Sequence, residues 1–349
     1  MRAITVIPKQ AGSAKLAEIP EPEEAEGSVL VETLAVGVCG TDAEIVRGDY
    51  GWNPPRHDAL VLGHESLGKV MEAPAGSGLS AGDLVVCIVR RPDPVPCYAC
   101  AVGQWDACRN GQYTEHGIKE LDGFMRERYR ANPDALVAVE GSLGNLGVLL
   151  EPSTVVAKAW AQVESIGNRA AWKPQSCLVV GAGPIGLLAA LLARQRGLEV
   201  TVVDQVATGI KPDLVAGLGA TYHQGALNEL KAPADVVIEC TGVPSLVLDS
   251  IAAAAIGGVV CLTGISPVGT SETSDFGELA RAMVLGNTVV VGSVNANRDH
   301  YEAGAQALAK ADPAWLGRLI TRRVPIEDFA SALQRNPDDV KVVIEVAKN

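Results

Sequence analysis

Three stretches of this chain carry residue types suited to metal chemistry. Cys39-Gly-Thr41-Asp42 closes a strand-like run, Ser28 to Val38; Gly63-His64-Glu65 follows a short apolar run, Leu60 to Leu62; and Leu149-Leu-Glu151-Pro152 comes later. Singly, each has a plain explanation. Cys39 reads as a small buried apolar side chain, His64 as a hydrogen-bonded structural histidine. Together they offer one thiolate, one imidazole and up to two carboxylates, a set that suits tetrahedral zinc with an open or exchangeable position. Spacing alone leaves the metal and the structural readings side by side.

A fourth stretch, Ser176 to Asp204, has a different chemistry. The apolar run Cys177 to Val180 leads into Gly181-Ala-Gly183-Pro184-Ile185-Gly186, a helical run reaches Gly197, and a second strand-like run ends in Asp204. This is a βαβ unit with the G-x-G-x-x-G dinucleotide fingerprint. Gly181 permits the tight turn, Gly183 lets backbone approach a pyrophosphate, and Gly186 lets helix and strand pack closely. The helix start offers unpaired N–H groups to the phosphates. Asp204 is placed to hydrogen-bond ribose hydroxyls and to repel a 2′-phosphate. Gln205 and the residues after it bring no basic side chain before Lys211. The pattern predicts NAD over NADP.

These residues need a scaffold, and 349 residues suffice for two domains, each with its own core. An apolar content of 48% with 20% charged residues marks a soluble globular chain, and a net charge of −12 argues against nucleic acid or an anionic membrane as partner. No stretch reads as a signal peptide or a membrane span. The eight cysteines do not form a disulfide framework in a chain of this size, so a cytoplasmic protein with reduced thiols is expected. Up to about Gly147 the chain is rich in short strands and turns, including Met1 to Ile7 and Leu84 to Val89. After Asp204, α/β alternation continues. Its strands end in Thr241-Gly242, in Thr263-Gly264-Ile265 and in Ser293-Val294-Asn295, and in a doubly wound sheet such strand ends line the ligand crevice. The tail predicts helices over Tyr301 to Lys310 and Ile326 to Gln334 and a strand over Val340 to Val346. Cys87, Cys177, Cys240 and Cys261 lie in apolar runs and read as core.

The segments GVCGTD, LVLGHE, GD-x-V (Gly82 to Val85), VVGAGPIG and VIECTG, in this order, resemble the zinc-dependent medium-chain dehydrogenase/reductase superfamily across essentially the whole chain. GDYG (Gly48 to Gly51), VRR (Val89 to Arg91), YTEHGI, DGFMRE, EPSTVVAKAW and VGSVNANRDHYEA are similar to its archaeal-type glucose (aldose) 1-dehydrogenase branch. The resemblance implies an α/β protein with a β-rich GroES-like catalytic domain, 1–152 with 298–349, and a Rossmann doubly wound parallel-sheet domain, 153–297. It implies catalytic zinc on Cys39 and His64, with Glu65 as a direct or exchangeable ligand and Glu151, where the branch places a carboxylate or carboxamide, as a further zinc or substrate residue. Thr41 stands where the family keeps a hydroxyl beside the reacting oxygen, with Asp42 as a helper or structural residue. Arg90, Glu115 and His300 are the branch's positions for reading sugar hydroxyls, against the plain reading of each as a surface residue. Cys97, Cys100 and Cys108 match three ligands of the family's structural-zinc lobe. Pro94 replaces the first, and Asp93, or more remotely Glu115, is the stand-in; a metal-free loop of three thiols is the alternative.

The reaction implied is hydride transfer from C1 of an aldose to NAD, giving the aldonolactone. A polyol or secondary-alcohol dehydrogenase on the same scaffold is the nearest alternative, and a dinucleotide-binding protein without catalysis a remote one. A sugar or polyol substrate and a homodimer or homotetramer complete the expectation.

Overall fold

The structure, a computed structural model, describes residues 1–347 except 56, 268 and 270–274. The chain divides into two compact units, 1–151 with 296–349, and 152–295.

The first unit is built on Val29–Val38, a ten-residue strand whose side chains alternate between buried and half-buried along its first half. β-branched residues every second position make such a strand a sheet centre. It pairs antiparallel with Glu65–Glu72 on one side and Lys341–Glu345 on the other. The sheet runs Leu136–Ala138, Leu84–Cys87, Glu65–Glu72, Val29–Val38, Lys341–Glu345, Ile320–Pro325, and Arg128–Ala131 also pairs with the central strand. Ile4, Val31, Val36, Ile45, Leu62, Phe124 and Ile344 pack in one fully buried core. A small sheet of Arg90–Arg91, Thr114–His116 and Glu120–Leu121 sets Arg90 opposite Glu115.

The second unit holds six parallel strands in the order Thr221–Gln224, Glu199–Asp204, Ser176–Val180, Ala234–Glu239, Ala254–Leu262, Val289–Gly292. Numbered along the chain this is 3-2-1-4-5-6, the doubly wound dinucleotide order. Leu178, Val180, Val203, Val237 and Val260 form a core of neighbouring strands. No helix among the described residues is long and apolar enough to cross a membrane.

Several element bounds differ from the sequence reading. The strand from Leu84 stops at Cys87. Ile326 to Gln334 is not one helix but a 3-10 turn, Ile326–Asp328, and a single α turn, Phe329–Ala332. The helix Pro313–Leu319 and the strand Ile320–Pro325 had no clear signal. That strand reads ITRRVP, and its arginines suit a sheet edge, where Arg322 reaches Asp339 at 2.7 Å.

Candidate metal centre and dinucleotide site

Cys39 leaves the central strand and becomes the N-cap of helix Gly40–Arg47. Its sulfur accepts the Thr41 N–H at 3.3 Å, while Asp42 Oδ2 accepts the Cys39 N–H at 2.9 Å. Asp42 is wholly buried, and the capping box explains why an acid is tolerated there. Its other oxygen, Oδ1, stands 3.5 Å from His64 Nδ1, and neither atom has a shorter partner. His64 Nε2 lies 3.1 Å from Cys39 Sγ. Asp42 thus backs the ring from behind and leaves Nε2 toward the sulfur, the carboxylate–histidine arrangement that orients metal ligands. Burial pushes His64 down, but the Cys39 sulfur and Asp42 outweigh it and hold the imidazole well above its usual range. Anionic surroundings of this kind call for a cation. His116 is the contrast: burial and Arg91 hold it well below the usual range, with Nδ1 at 2.6 Å from Asp122 O and Nε2 at 3.0 Å from Arg91. It is a neutral structural histidine.

One carboxylate oxygen of Glu65, the Cys39 sulfur and a ring nitrogen of His64 all lie within 4.8 Å of one another. Thiolate, imidazole and carboxylate at this separation fit zinc. Glu151, at the start of helix Leu150–Gly167, stays outside that circle. Its carboxyl is pushed up to about 7, by burial first and by the charge of Glu65, while His64 and Lys341 pull it down. Both oxygens of Glu65 are held by Lys341, a buried lysine that the sequence reading passed over. The signal was present: one lysine in the otherwise apolar run Val340 to Ile344.

Of the sugar-reading positions, Arg90 and Glu115 are not surface residues. Both are buried, with Arg90 Nε and Nη2 at 3.0 and 2.9 Å from Glu115 Oε1, Nη1 at 3.1 Å from Asp106 O, and the guanidinium 3.8 Å from the Tyr113 ring centre. Arg90 therefore braces Glu115. His300 Nδ1 accepts the Asn297 N–H at 3.1 Å in the cap of helix Arg298–Ala309, which puts the proton of the neutral ring on Nε2. Thr41 is half-buried in the first turn after Cys39.

Cys97, Cys100 and Cys108 also gather within 4.8 Å, and Asp93 does not join that circle. Asp93 is nonetheless adjacent: its backbone N–H reaches the Cys100 sulfur, Oδ1 accepts the Val95 N–H at 2.7 Å, and Oδ2 is buried without a partner. Three thiols and one orphaned carboxylate oxygen fit a zinc ion. Glu115, the remoter stand-in, is tied to Arg90. All eight cysteines are free thiols. Cys87, Cys177 and Cys261 are core residues, while Cys240 is only half-buried.

In the second unit Gly181 has φ +98°, and a Cβ on Gly186 would stand 1.8 Å from Gly181 O, so both glycines are required by the turn. Gly183 has open space instead, and it is the N-cap of helix Pro184–Gln195 with no side chain on the helix start. Pro184 suits the first helical position because its missing N–H has no partner there. Ile185 is half-buried behind it. Asp204 Oδ2 accepts the Ala182 N–H at 2.7 Å, tying the glycine turn to the next strand, and Lys211 Nζ stands 3.2 Å away. Gln205 is exposed. Glu239, missed by the sequence reading, is fully buried and accepts the N–H groups of Thr241 and Gly242 at 2.6 and 3.0 Å. Thr263 Oγ1 donates to Glu239 O at 2.8 Å, and a Cβ on Gly264 would stand 2.1 Å from Gly242 N. These two strand-end loops are backbone-packed. Ile265 is exposed, Ser293 is buried with its Oγ unpartnered, and Asn295 adopts φ +63°.

A GroES-like unit with a Cys–His–Glu donor group, on a chain that also carries a 3-2-1-4-5-6 dinucleotide unit, defines the zinc-dependent medium-chain dehydrogenases. The alcohol dehydrogenase GroES-like domain matches residues 25–141, and the glucose dehydrogenase C-terminus matches residues 144–346. Glucose 1-dehydrogenase of Thermoproteus tenax is 42% identical, and that of Methanocella arvoryzae 38%, each over 99% of both chains. The solved structure of Haloferax mediterranei glucose dehydrogenase in complex with NADP, Zn and gluconolactone is similar over 100% of both chains, with TM-score 0.92 and 32% identity. The chain belongs to the glucose 1-dehydrogenase family of zinc-dependent medium-chain dehydrogenases.

Proposed function

We propose that this protein is a zinc-dependent aldose 1-dehydrogenase that passes a hydride from C1 of glucose or a closely related sugar to NAD and releases the aldonolactone. The observation that carries the reading is the group of half-buried Cys39 with buried His64 and Glu65, backed by Asp42. Cys39, His64 and Glu65 would hold the zinc, with Glu151 as a further carboxylate. Zinc at this position supplies a Lewis acid that lowers the pKa of a hydroxyl brought to it, and the nicotinamide supplies the hydride acceptor.

The chain's own residues do the rest. Asp42 fixes the His64 ring. Thr41 relays the proton that O1 of the sugar loses, its hydroxyl taking that proton as it passes its own on toward a proton exit, while C1 gives hydride to the nicotinamide, so that C1 and O1 become a carbonyl. Glu115, braced by Arg90, accepts from sugar hydroxyls, and His300 donates to one. A site that hydrogen-bonds hydroxyls rejects analogues lacking them, because its own groups are then left unpaired. Residues 1–151 with 296–349 serve as the catalytic unit. In residues 152–295, Gly181, Gly183 and Gly186 receive the pyrophosphate, and the loops at Thr241, Thr263 and Asn295 line the nicotinamide.

NAD is preferred over NADP in this reading. Asp204 presents a carboxylate where a 2′-phosphate would sit, and the Lys211 charge is already matched to it. A second copy of the chain is proposed to cover exposed apolar side chains near the sheet edge: Ile256 on the strand next to Val289–Gly292, and Val284 and Leu285 on the helix Phe276–Gly286 that leads into it. The free thiols suit the cytoplasm.

A panel of D-glucose, its epimers, xylitol, sorbitol and simple alcohols, each with NAD and with NADP, tests the reading. Lactone from aldoses, with kcat/KM higher for NAD, is expected. Turnover confined to polyols or alcohols contradicts the aldose assignment, and a higher kcat/KM for NADP contradicts the cofactor assignment.

A further inference from the structure

Glu239 is the last residue of strand Ala234–Glu239, and it is wholly buried. Its side-chain oxygens serve only as acceptors. Oε1 takes the Thr241 N–H at 2.6 Å, the Gly242 N–H at 3.0 Å and the Thr241 hydroxyl, and Oε2 shares the Gly242 N–H at 3.2 Å. A carboxylate is the acceptor-only side chain that such a cluster of donors requires, and its charge strengthens each bond. A glutamine could keep one oxygen, but its NH2 group would stand where Oε2 faces the Gly242 N–H. Each of these donors is neutral. Burying a charge among neutral groups is costly, and a turn at a strand end does not need one.

The backbone of the same residue holds the next strand end. Glu239 O accepts the Thr263 N–H at 2.8 Å, the Gly264 N–H at 3.2 Å and the Thr263 hydroxyl at 2.8 Å. One residue thus gathers two strand-end loops, 240–242 and 263–265. Bare positions let these loops touch. Gly242 has φ +68°, and a Cβ on it would stand 2.4 Å from Ile265 O. A Cβ on Gly264 would stand 2.1 Å from Gly242 N and 2.8 Å from Glu239 Oε2. The carboxylate and the two glycines are separate features that serve one clamp.

The clamp lies on one side of the glycine turn. The strand Ser176–Val180 leads into Gly181; Glu199–Asp204 flanks it on one side, and Ala234–Glu239 with Ala254–Leu262 on the other. A dinucleotide laid across the crevice of such a sheet places one half on each side. With Asp204 facing the adenosine ribose, the clamped loops face the nicotinamide half.

We propose that Glu239 is a positioning residue for the nicotinamide half of the cofactor: from its buried place it locks the Thr241-Gly242 and Thr263-Gly264 loops into one wall. The inference rests on the NAD-dehydrogenase reading above and deepens it, because it separates the residues that hold the two halves of the cofactor.

The test uses full-length parent, Glu239→Gln and Gly264→Ala. NADH affinity is read by fluorescence titration. ADP, which carries adenosine and pyrophosphate but no nicotinamide, is titrated by calorimetry. Steady-state kinetics supply KM for NAD and for D-glucose. Glu239→Gln should raise the Kd of NADH and the KM for NAD about tenfold, the scale of one hydrogen bond to a charged group. The Kd of ADP and the KM for glucose should stay at the parent values. Gly264→Ala removes no charge but forces the two loops apart. It should shift NADH in the same direction and spare ADP, and it carries the test if Glu239→Gln does not fold. A parent-like Kd for NADH in both variants overturns the inference and leaves the dehydrogenase reading standing. Equal losses for ADP and NADH in Glu239→Gln do the same, since they show a general loss of structure. A parent protein that binds no NADH overturns both.

Discussion

The Cys39, His64, Glu65 group and the Cys97, Cys100, Cys108 group each bring three donors within 4.8 Å, yet they are built differently. The first hangs on two neighbouring strands of the main sheet, with a third beside them, and each donor has a partner behind it: Thr41 N–H on the sulfur, Asp42 on the imidazole, Lys341 of the third strand on the carboxylate. The second is local. Residues 97–108 fold through one short helix and one 3-10 turn, and backbone amides do most of the holding. The Arg109 N–H and those of Ala99 and Cys100 draw Cys97 down to about 6, while burial pushes Cys100 up to about 11. On the function proposed above, the first is the reactive centre and the second the structural one.

The difference is sharpest under substitution. His64→Ala should abolish zinc at the first group and lower kcat/KM by on the order of 10²–10³ or more, since a metal of this type stabilises developing charge by several kcal/mol. Zinc content and kinetics measured together check this. Asp42→Asn should weaken zinc at the same group by roughly 10–100-fold and cost about 1 kcal/mol of stability through the weakened cap. Competition with a chelator and thermal melts read the two effects separately. Cys108→Ser should remove one zinc per chain and lower Tm while leaving turnover at 25 °C intact. A loss of turnover at 25 °C would break the division between the two groups.

A smaller effect concerns pH in metal-free protein. Glu151 has its carboxyl raised from 4.5 to about 7, chiefly by burial. The folded state then binds the proton more tightly than the unfolded state. Stability from this group is fully present below pH 4.5, falls as pH rises between 4.5 and 7, and is lost above. Denaturant melts of chelated protein across this window should show the fall, and Glu151→Gln should flatten it.

The same contrast explains what was legible in the sequence. The glycine turn, Asp204 and the Cys97-x-x-Cys100 lobe are contiguous, and their spacing carries their geometry. Glu239 was hidden by its position at the end of an apolar strand, where it accepts two backbone N–H groups and the Thr241 hydroxyl. Lys211 was counted but not placed, because the irregular loop 205–209 brings the start of helix Ile210–Gly217 back onto Asp204. Lys341 was the least visible. Its meeting with Glu65 depends on the order of three strands drawn from both ends of the chain, and sequence spacing carries no trace of it. Arg90 shows the converse: it was singled out for sugar, and its charge is engaged by Glu115 on the paired strand.

The proposed oxidation of an aldose depends on a zinc held by Cys39 and His64. The most direct measurement is formation of reduced nicotinamide from D-glucose and NAD by native protein, by protein stripped with a chelator, and by stripped protein given zinc again. Turnover, its loss on stripping and its return with zinc are expected. Turnover that persists in protein shown to be free of zinc would contradict that dependence.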